Sequence, residues 1–145
     1  GSRALMSLRL EKSWGAWGLD FRQDFTVMES GLNQFINWKK DFIGKKLSVH
    51  EKETGSLKKL CVMVVDTKDI DVINDEAIMK NNKCVGYVTS GGYAHYVEKS
   101  IAFGYLPVEL TKKNTKLEIE INGQFYSAYV IAEPLYDPSG LKMRS

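Results

Sequence analysis

Cysteine, histidine and proline are all scarce in this chain of 145 residues, which has two, two and three of them. Two cysteines, Cys61 and Cys84, are too few for a secreted disulfide scaffold, and no C-x-x-C pair occurs. Both lie in strand-like stretches, so a reduced, buried pair is expected, each thiol acting as a small hydrophobe. His50 and His95 stand far apart and offer no zinc-ligand spacing, so no metal is expected. No apolar run approaches the ~18 residues that cross a bilayer, and the amino terminus lacks the plan of a secretion signal. A soluble protein is the expectation. Charge of one sign is missing too: twenty basic against eighteen acidic residues leave +2. So small a balance pulls weakly on nucleic acid or an anionic membrane.

Hydrophobic residues make up 43% and charged ones 26%, which suits a chain that offsets its conformational entropy with a core. The length fits one domain, or a domain plus part of another, and excludes a multi-domain enzyme. Ser2 is a fair N-cap, and Ala4, Leu5 and Leu8 follow at helical spacing, predicting a helix that ends near Ser13. Gly15 and Gly18 then break a loop carrying Trp14 and Trp17. Phe35, Ile36 and Trp38, after the Gly31 break, suggest a short strand. Asp41 introduces Ile43, Leu47 and His50 in an amphipathic helix that stops at Gly55.

Beyond Gly55 the period becomes that of strands. Leu57 to Val65 is a valine-rich run of the kind buried on both faces. Asp66 to Glu76 reads as a solvated acidic loop. Asn81-Asn82 turns a hairpin within Ala77 to Thr89, and Leu117, Ile119 and Ile121 alternate with Glu118 and Glu120 before Asn122-Gly123 makes a type I′ turn into Phe125 to Ile131. Several short strands joined by turns predict a closed or sandwiched antiparallel sheet. The fold class is α+β, mostly β.

The chemistry-bearing residues are ambiguous one by one. Ser90, with His95 nearby, lacks the G-x-S-x-G frame of a nucleophile elbow, and Gly91-Gly92 reads as a bulge or loop between two strand runs. Glu11, Asp20, Asp24 and Glu29 lie near the tryptophans and suit pairing either with a bound heterocycle or with Arg9 and Arg22; for each alone a salt bridge or a solvated charge is expected. The lysines from Lys39 to Lys59 read as a wet face. Trp14 and Trp17 suit either core packing or stacking on a flat ligand, the latter worth about 1 kcal/mol. Tyr87, Tyr93, Tyr96, Phe103 and Tyr105 resemble the platforms of a nucleic-acid-binding barrel, but the near-neutral charge argues against that use.

A more specific pattern runs through the chain. Ser7-Leu8-Arg9-Leu10-Glu11-Lys12 with Trp17-Gly18 and Asp20, then Thr26 to Leu32, then Lys40-Asp41-Phe42-Ile43-Gly44-Lys45, resemble ordered motifs of the folate-dependent aminomethyltransferase (glycine cleavage T-protein) family. Gly86 to Tyr93, Lys99 to Ala102 and Gly104-Tyr105 resemble its barrel signature. Within the family, Pro134 to Pro138 and Met143-Arg144 are most similar to the carboxy-terminal tails of dimethylglycine and sarcosine dehydrogenases.

The resemblance implies that residues 1–55 are the carboxy-terminal portion of a folate-binding domain and residues 56–145 an antiparallel β-barrel. It implies tetrahydrofolate as cofactor and transfer of a one-carbon unit to it, with FAD confined to an upstream domain of the dehydrogenases. The acidic residue that acts on folate comes from the upstream half of the family's folate domain, so this chain alone is not expected to catalyse and no catalytic residue is assigned. Its partners would be tetrahydrofolate and the parent enzyme's upstream domains, with no nucleic acid or membrane, in cytoplasm or, in a eukaryote, the mitochondrial matrix. T-proteins place an arginine-aspartate pair before the signature helix; Leu5-Met6 stands there instead. The alignment puts Trp14 beside the folate, with Trp17, Glu29 and Arg144 as further candidates, and leaves Arg9 and Glu11 to form a structural ion pair. The competing reading is a non-catalytic barrel that docks on the upstream domains and closes their channel.

Overall fold

The computed structural model describes all residues, 1–145. Helix α1 (Ser2–Glu11) is followed by an aromatic loop, a single 3-10 turn (Asn33–Phe35) and helix α2 (Lys45–Thr54). Six strands follow: β1 (Lys58–Val65), β2 (Ala77–Lys80), β3 (Lys83–Ala94), β4 (Lys99–Pro107), β5 (Lys116–Ile121) and β6 (Gln124–Ile131). They close into a barrel in the order β1-β4-β3-β2-β5-β6, with every neighbouring pair antiparallel and β6 returning to β1. Closure removes the exposed edges that an open sheet would offer for aggregation. No helix is long and apolar enough to cross a membrane.

Alternation builds the barrel interior. Leu117, Ile119 and Ile121 on β5 point inward and meet Ala128 and Val130 of β6, with Met63, Ile78, Val88, Ala102 and Leu106 completing the core. The hairpin turns form because Asn81 and Asn82, and likewise Asn122 and Gly123, all take positive φ. A second cluster joins Leu10 of α1 to Ala94 of β3 and to Ile101 and Phe103 of β4. β4 is therefore the strand covered on both sides, by the core within and by α1 without. That role was expected of β1, whose outer residues Leu60 and Val62 are only half-buried.

Several local expectations change. Phe35 to Trp38 forms no strand: a 3-10 turn ends at Phe35, the Phe35 side chain is exposed, and no partner strand lies alongside. Helix α2 begins at Lys45 rather than Asp41, because Gly44 before it takes φ +86, outside helical backbone. Ser2 lies inside α1, whose cap is Gly1 with no side-chain bond. Cys84 is exposed, and only Cys61 is buried, because Cys84 lies near the open start of β3. Gly91-Gly92 falls within β3, and the bulge precedes it, between Val88 and Ser90. The acidic loop is not wholly solvated: Val72 is sealed, its carbonyl 2.8 Å from where a Gly91 Cβ would stand. Only glycine lets that loop lie so close to β3.

Candidate functional site

Helix α1 ends in a Schellman motif. The Trp14 N–H donates to the Arg9 carbonyl at 2.9 Å and the Ser13 N–H to the Leu10 carbonyl at 3.0 Å, with Ser13 in left-handed backbone at φ +56. The chain thus turns off the helix and presents Trp14 immediately after it. The next residues are held by Asp20, which is fully buried. Its Oδ2 accepts from Arg9 Nη1 at 3.0 Å and from the Ala16 N–H at 2.8 Å. Its Oδ1 accepts from the hydroxyls of Thr89 and Ser90 on β3, and Tyr105 of β4 donates its hydroxyl to the Asp20 carbonyl at 2.8 Å. Burial holds the Arg9 guanidinium below its ordinary pKa, and the charge and bond of the Asp20 carboxylate offset only part of that shift.

Arg9 and Glu11 do not pair, contrary to expectation. Residues two apart on a helix point to different sides, and Glu11, also buried, takes the Tyr96 N–H at 2.8 Å instead. The carboxy-terminal tail is bound to the same helix. Tyr136 donates its N–H to the Glu11 carbonyl at 3.0 Å, and Lys12 bonds the Asp137 carbonyl and carboxylate, the latter at 3.0 Å.

These attachments bring Trp14, Tyr96, Tyr136 and Met143 around a concavity of about 290 Å³, whose helix side is Leu5, Leu8, Arg9, Glu11 and Lys12. Tyr96 and Tyr136 meet edge-on, with centroids 5.0 Å apart. Trp14 is 52% exposed, so its ring is not consumed by core packing. Arg144 is at the same end of the molecule: a Cβ on Gly140 would stand 3.7 Å from Arg144 Nη2 and 3.9 Å from Lys12 Nζ.

Trp17 and Glu29 do not line this concavity. Trp17 is 80% exposed and lies edge-on to Phe21 at 5.3 Å. Glu29 forms a reciprocal capping pair with Thr26: the Thr26 N–H donates to Glu29 Oε2 at 3.0 Å and the Glu29 N–H to Thr26 Oγ1 at 3.1 Å. The Glu29 carbonyl also accepts from the Leu60 N–H at 2.8 Å, joining this turn to β1. Sequence reading missed Tyr96, Tyr136 and Met143 as neighbours of Trp14. Nothing in local spacing signals a contact that closes across most of the chain.

A family model described as the glycine cleavage T-protein C-terminal barrel domain matches residues 58–137. The chain belongs to this family. Over 137 residues, 93% of its length, the barrel chain is 40% identical to mitochondrial dimethylglycine dehydrogenase of Homo sapiens, covering 16% of that protein. It is 36% identical over 138 residues to the aminomethyltransferase of Prochlorococcus marinus (strain NATL1A), covering 94% of this chain and 37% of the relative. The crystal structure of the glycine cleavage system aminomethyltransferase T from Bartonella henselae superposes with a TM-score of 0.88 at 24% identity, over 95% of this chain and 39% of that one. At that identity the superposition establishes the fold. The resemblance read from the motifs and the expected mostly-β fold with an antiparallel barrel are both borne out, while the chain spans only 16% of the dehydrogenase and 37% of the aminomethyltransferase.

Proposed function

We propose that this chain forms one wall of a tetrahydrofolate site in an enzyme of the aminomethyltransferase or dimethylglycine and sarcosine dehydrogenase type. Residues 1–55 would belong to the folate-binding part and residues 56–145 to the barrel. When bound, tetrahydrofolate supplies the amine nitrogens that accept a one-carbon unit. The observation that carries this reading is Trp14, half-exposed beside a concavity with Leu5, Leu8, Tyr96, Tyr136 and Met143 around it. The residues fit the ligand's flat ring: aromatic faces stack in offset geometry, and the aliphatic walls shed water from a ring's faces while leaving its edges free. A concavity of about 290 Å³ suits one ring system rather than a whole folate.

In this reading Trp14 binds and orients by stacking, Arg144 meets the ligand's anionic end, and Trp17 and Glu29 stand as outer candidates. Proton movement at the folate falls to a carboxylate from another part of the enzyme, and FAD to an upstream domain. The compartment would be the cytoplasm, or the mitochondrial matrix in a eukaryote, as the word mitochondrial in the human relative's name suggests. Titrating the chain with tetrahydrofolate while following tryptophan emission tests it. Saturable quenching that Trp14→Ala abolishes supports the reading, and its absence counts against it.

A second reading has its own observation. Helix α2 buries no side chain, and Ile43, Leu47, Phe35 and Leu57 are all largely exposed. A ten-residue helix is marginal without packing, so this surface favours a barrel that docks on upstream domains of a parent enzyme and closes their channel. Tight binding to a separately expressed upstream fragment, without any response to folate, would favour it over the first.

A further inference from the structure

Both backbone polar groups of Trp14 end on Arg9. Its N–H donates to the Arg9 carbonyl, and its carbonyl accepts from Arg9 Nη1 at 3.1 Å. That same nitrogen donates to Asp20 Oδ2, which also holds the Ala16 N–H just beyond Trp14. On its other oxygen Asp20 receives Thr89 and Ser90, both from β3. The side-chain path from β3 through Arg9 Nη1 to the Trp14 carbonyl therefore runs through one carboxylate, while Tyr105 of β4 holds the Asp20 carbonyl and Ser7 of α1 donates to the Tyr93 carbonyl of β3. Beyond Trp14 the loop closes on itself through bonds from the Leu19, Asp20 and Phe21 N–H groups to the Ala16 carbonyl and from the Gly18 N–H to the Phe21 carbonyl, so the Asp20 carboxylate fixes this turn as a unit against Arg9 and β3.

A buried carboxylate with four donors ordinarily serves stability alone. Here the groups it orders lead to an indole that is half in solvent and borders the concavity also lined by Tyr96, Tyr136 and Met143. We infer that Asp20 is a positioning residue for the ligand-facing loop, setting the ring of Trp14 against the concavity before any ligand arrives. This rests on the folate reading for its ligand, though not for its geometry. Preorganisation of this kind raises affinity by removing the ordering cost that a mobile loop would impose on binding.

The test uses the chain with Trp17→Phe and Trp38→Phe, leaving Trp14 as the only indole of the three. Asp20→Asn keeps size and shape, but its amide cannot accept from four donors. Thr89→Val, a second variant, removes one barrel-side donor and leaves the Arg9–Asp20 pair. Three quantities are read: acrylamide quenching of Trp14, the tetrahydrofolate dissociation constant from that emission, and hydrogen exchange of the β1, β5 and β6 amides. Asp20→Asn should leave the barrel amides protected, change the accessibility of Trp14 and weaken tetrahydrofolate by about tenfold, with Thr89→Val smaller in the same direction. Unchanged Trp14 accessibility and affinity in a protected barrel would overturn the inference. So would loss of barrel protection in step with the Trp14 change in both variants, which would make Asp20 structural only. If the parent chain ignores tetrahydrofolate while Asp20→Asn still alters Trp14 in an intact barrel, the positioning role stands and the folate reading falls by itself.

Discussion

Arg9 and Asp20 pair at 3.0 Å with side chains 8% and 0% exposed, joining the end of α1 to the β3 wall of the barrel. A pair this dry is costly to break from one side. Asp20→Ala strands a buried guanidinium and is expected to lose about 3–5 kcal/mol in urea denaturation, whereas adding Arg9→Met should recover part of that loss. A double variant weaker than Asp20→Ala would show that the two do not act as a pair.

Ser13 occupies the left-handed position after α1 where glycine is the usual residue, at φ +56. Ser13→Gly is expected to relieve about 1 kcal/mol of backbone strain and to raise Tm by roughly 2–4 °C. Calorimetry on the two proteins checks it, and an unchanged or lower Tm contradicts it.

The tail contact should respond to acid. Burial pushes the Asp137 carboxyl up, but the bond and charge from Lys12 and the backbone N–H groups of Lys142 and Leu141 outweigh it and hold it below the ordinary carboxylate range. A lowered value means the contact is at full strength above that range and fades as pH falls through the Asp137 pKa. The Tm difference between the parent and Asp137→Asn should therefore be constant near neutrality and shrink toward strongly acid pH. A difference that grows in acid would refute the assignment.

The two thiols should behave differently. Burial pushes Cys61 up to about 11, against a smaller downward pull from Lys59, while Cys84 is exposed. Under native conditions at neutral pH one equivalent of a thiol reagent should react quickly, and Cys84→Ser should remove it. Two fast equivalents would mean that β1 opens readily.

How much could be read from the chain depended on the range of the contacts. The β5–β6 hairpin was legible because alternation and Asn122-Gly123 are local signals that the barrel reinforces. Phe35 to Trp38 misled because aromatic residues favour strands only where a neighbouring strand exists, and none does. Asp20 stood among the carboxylates placed to pair with Arg9, yet its partners Thr89 and Ser90 lie across the fold. The Trp14 concavity was half legible: motif order pointed to Trp14, while Tyr136 and Met143 reach it only because the tail returns to α1. Glu29 carried a legible capping pattern with Thr26, three residues apart, that went unread.

The most direct measurement of the central claim is a two-dimensional NMR titration of the chain with tetrahydrofolate, following the indole N–H of each tryptophan and the methyl of Met143. The account predicts saturable shifts at Trp14 and Met143, together with the amides of Tyr96 and Tyr136, while Trp38 stays still. Shifts absent throughout, or gathered around Phe25 and Tyr87, whose ring centroids lie 6.5 Å apart and which do not line the concavity, would contradict it.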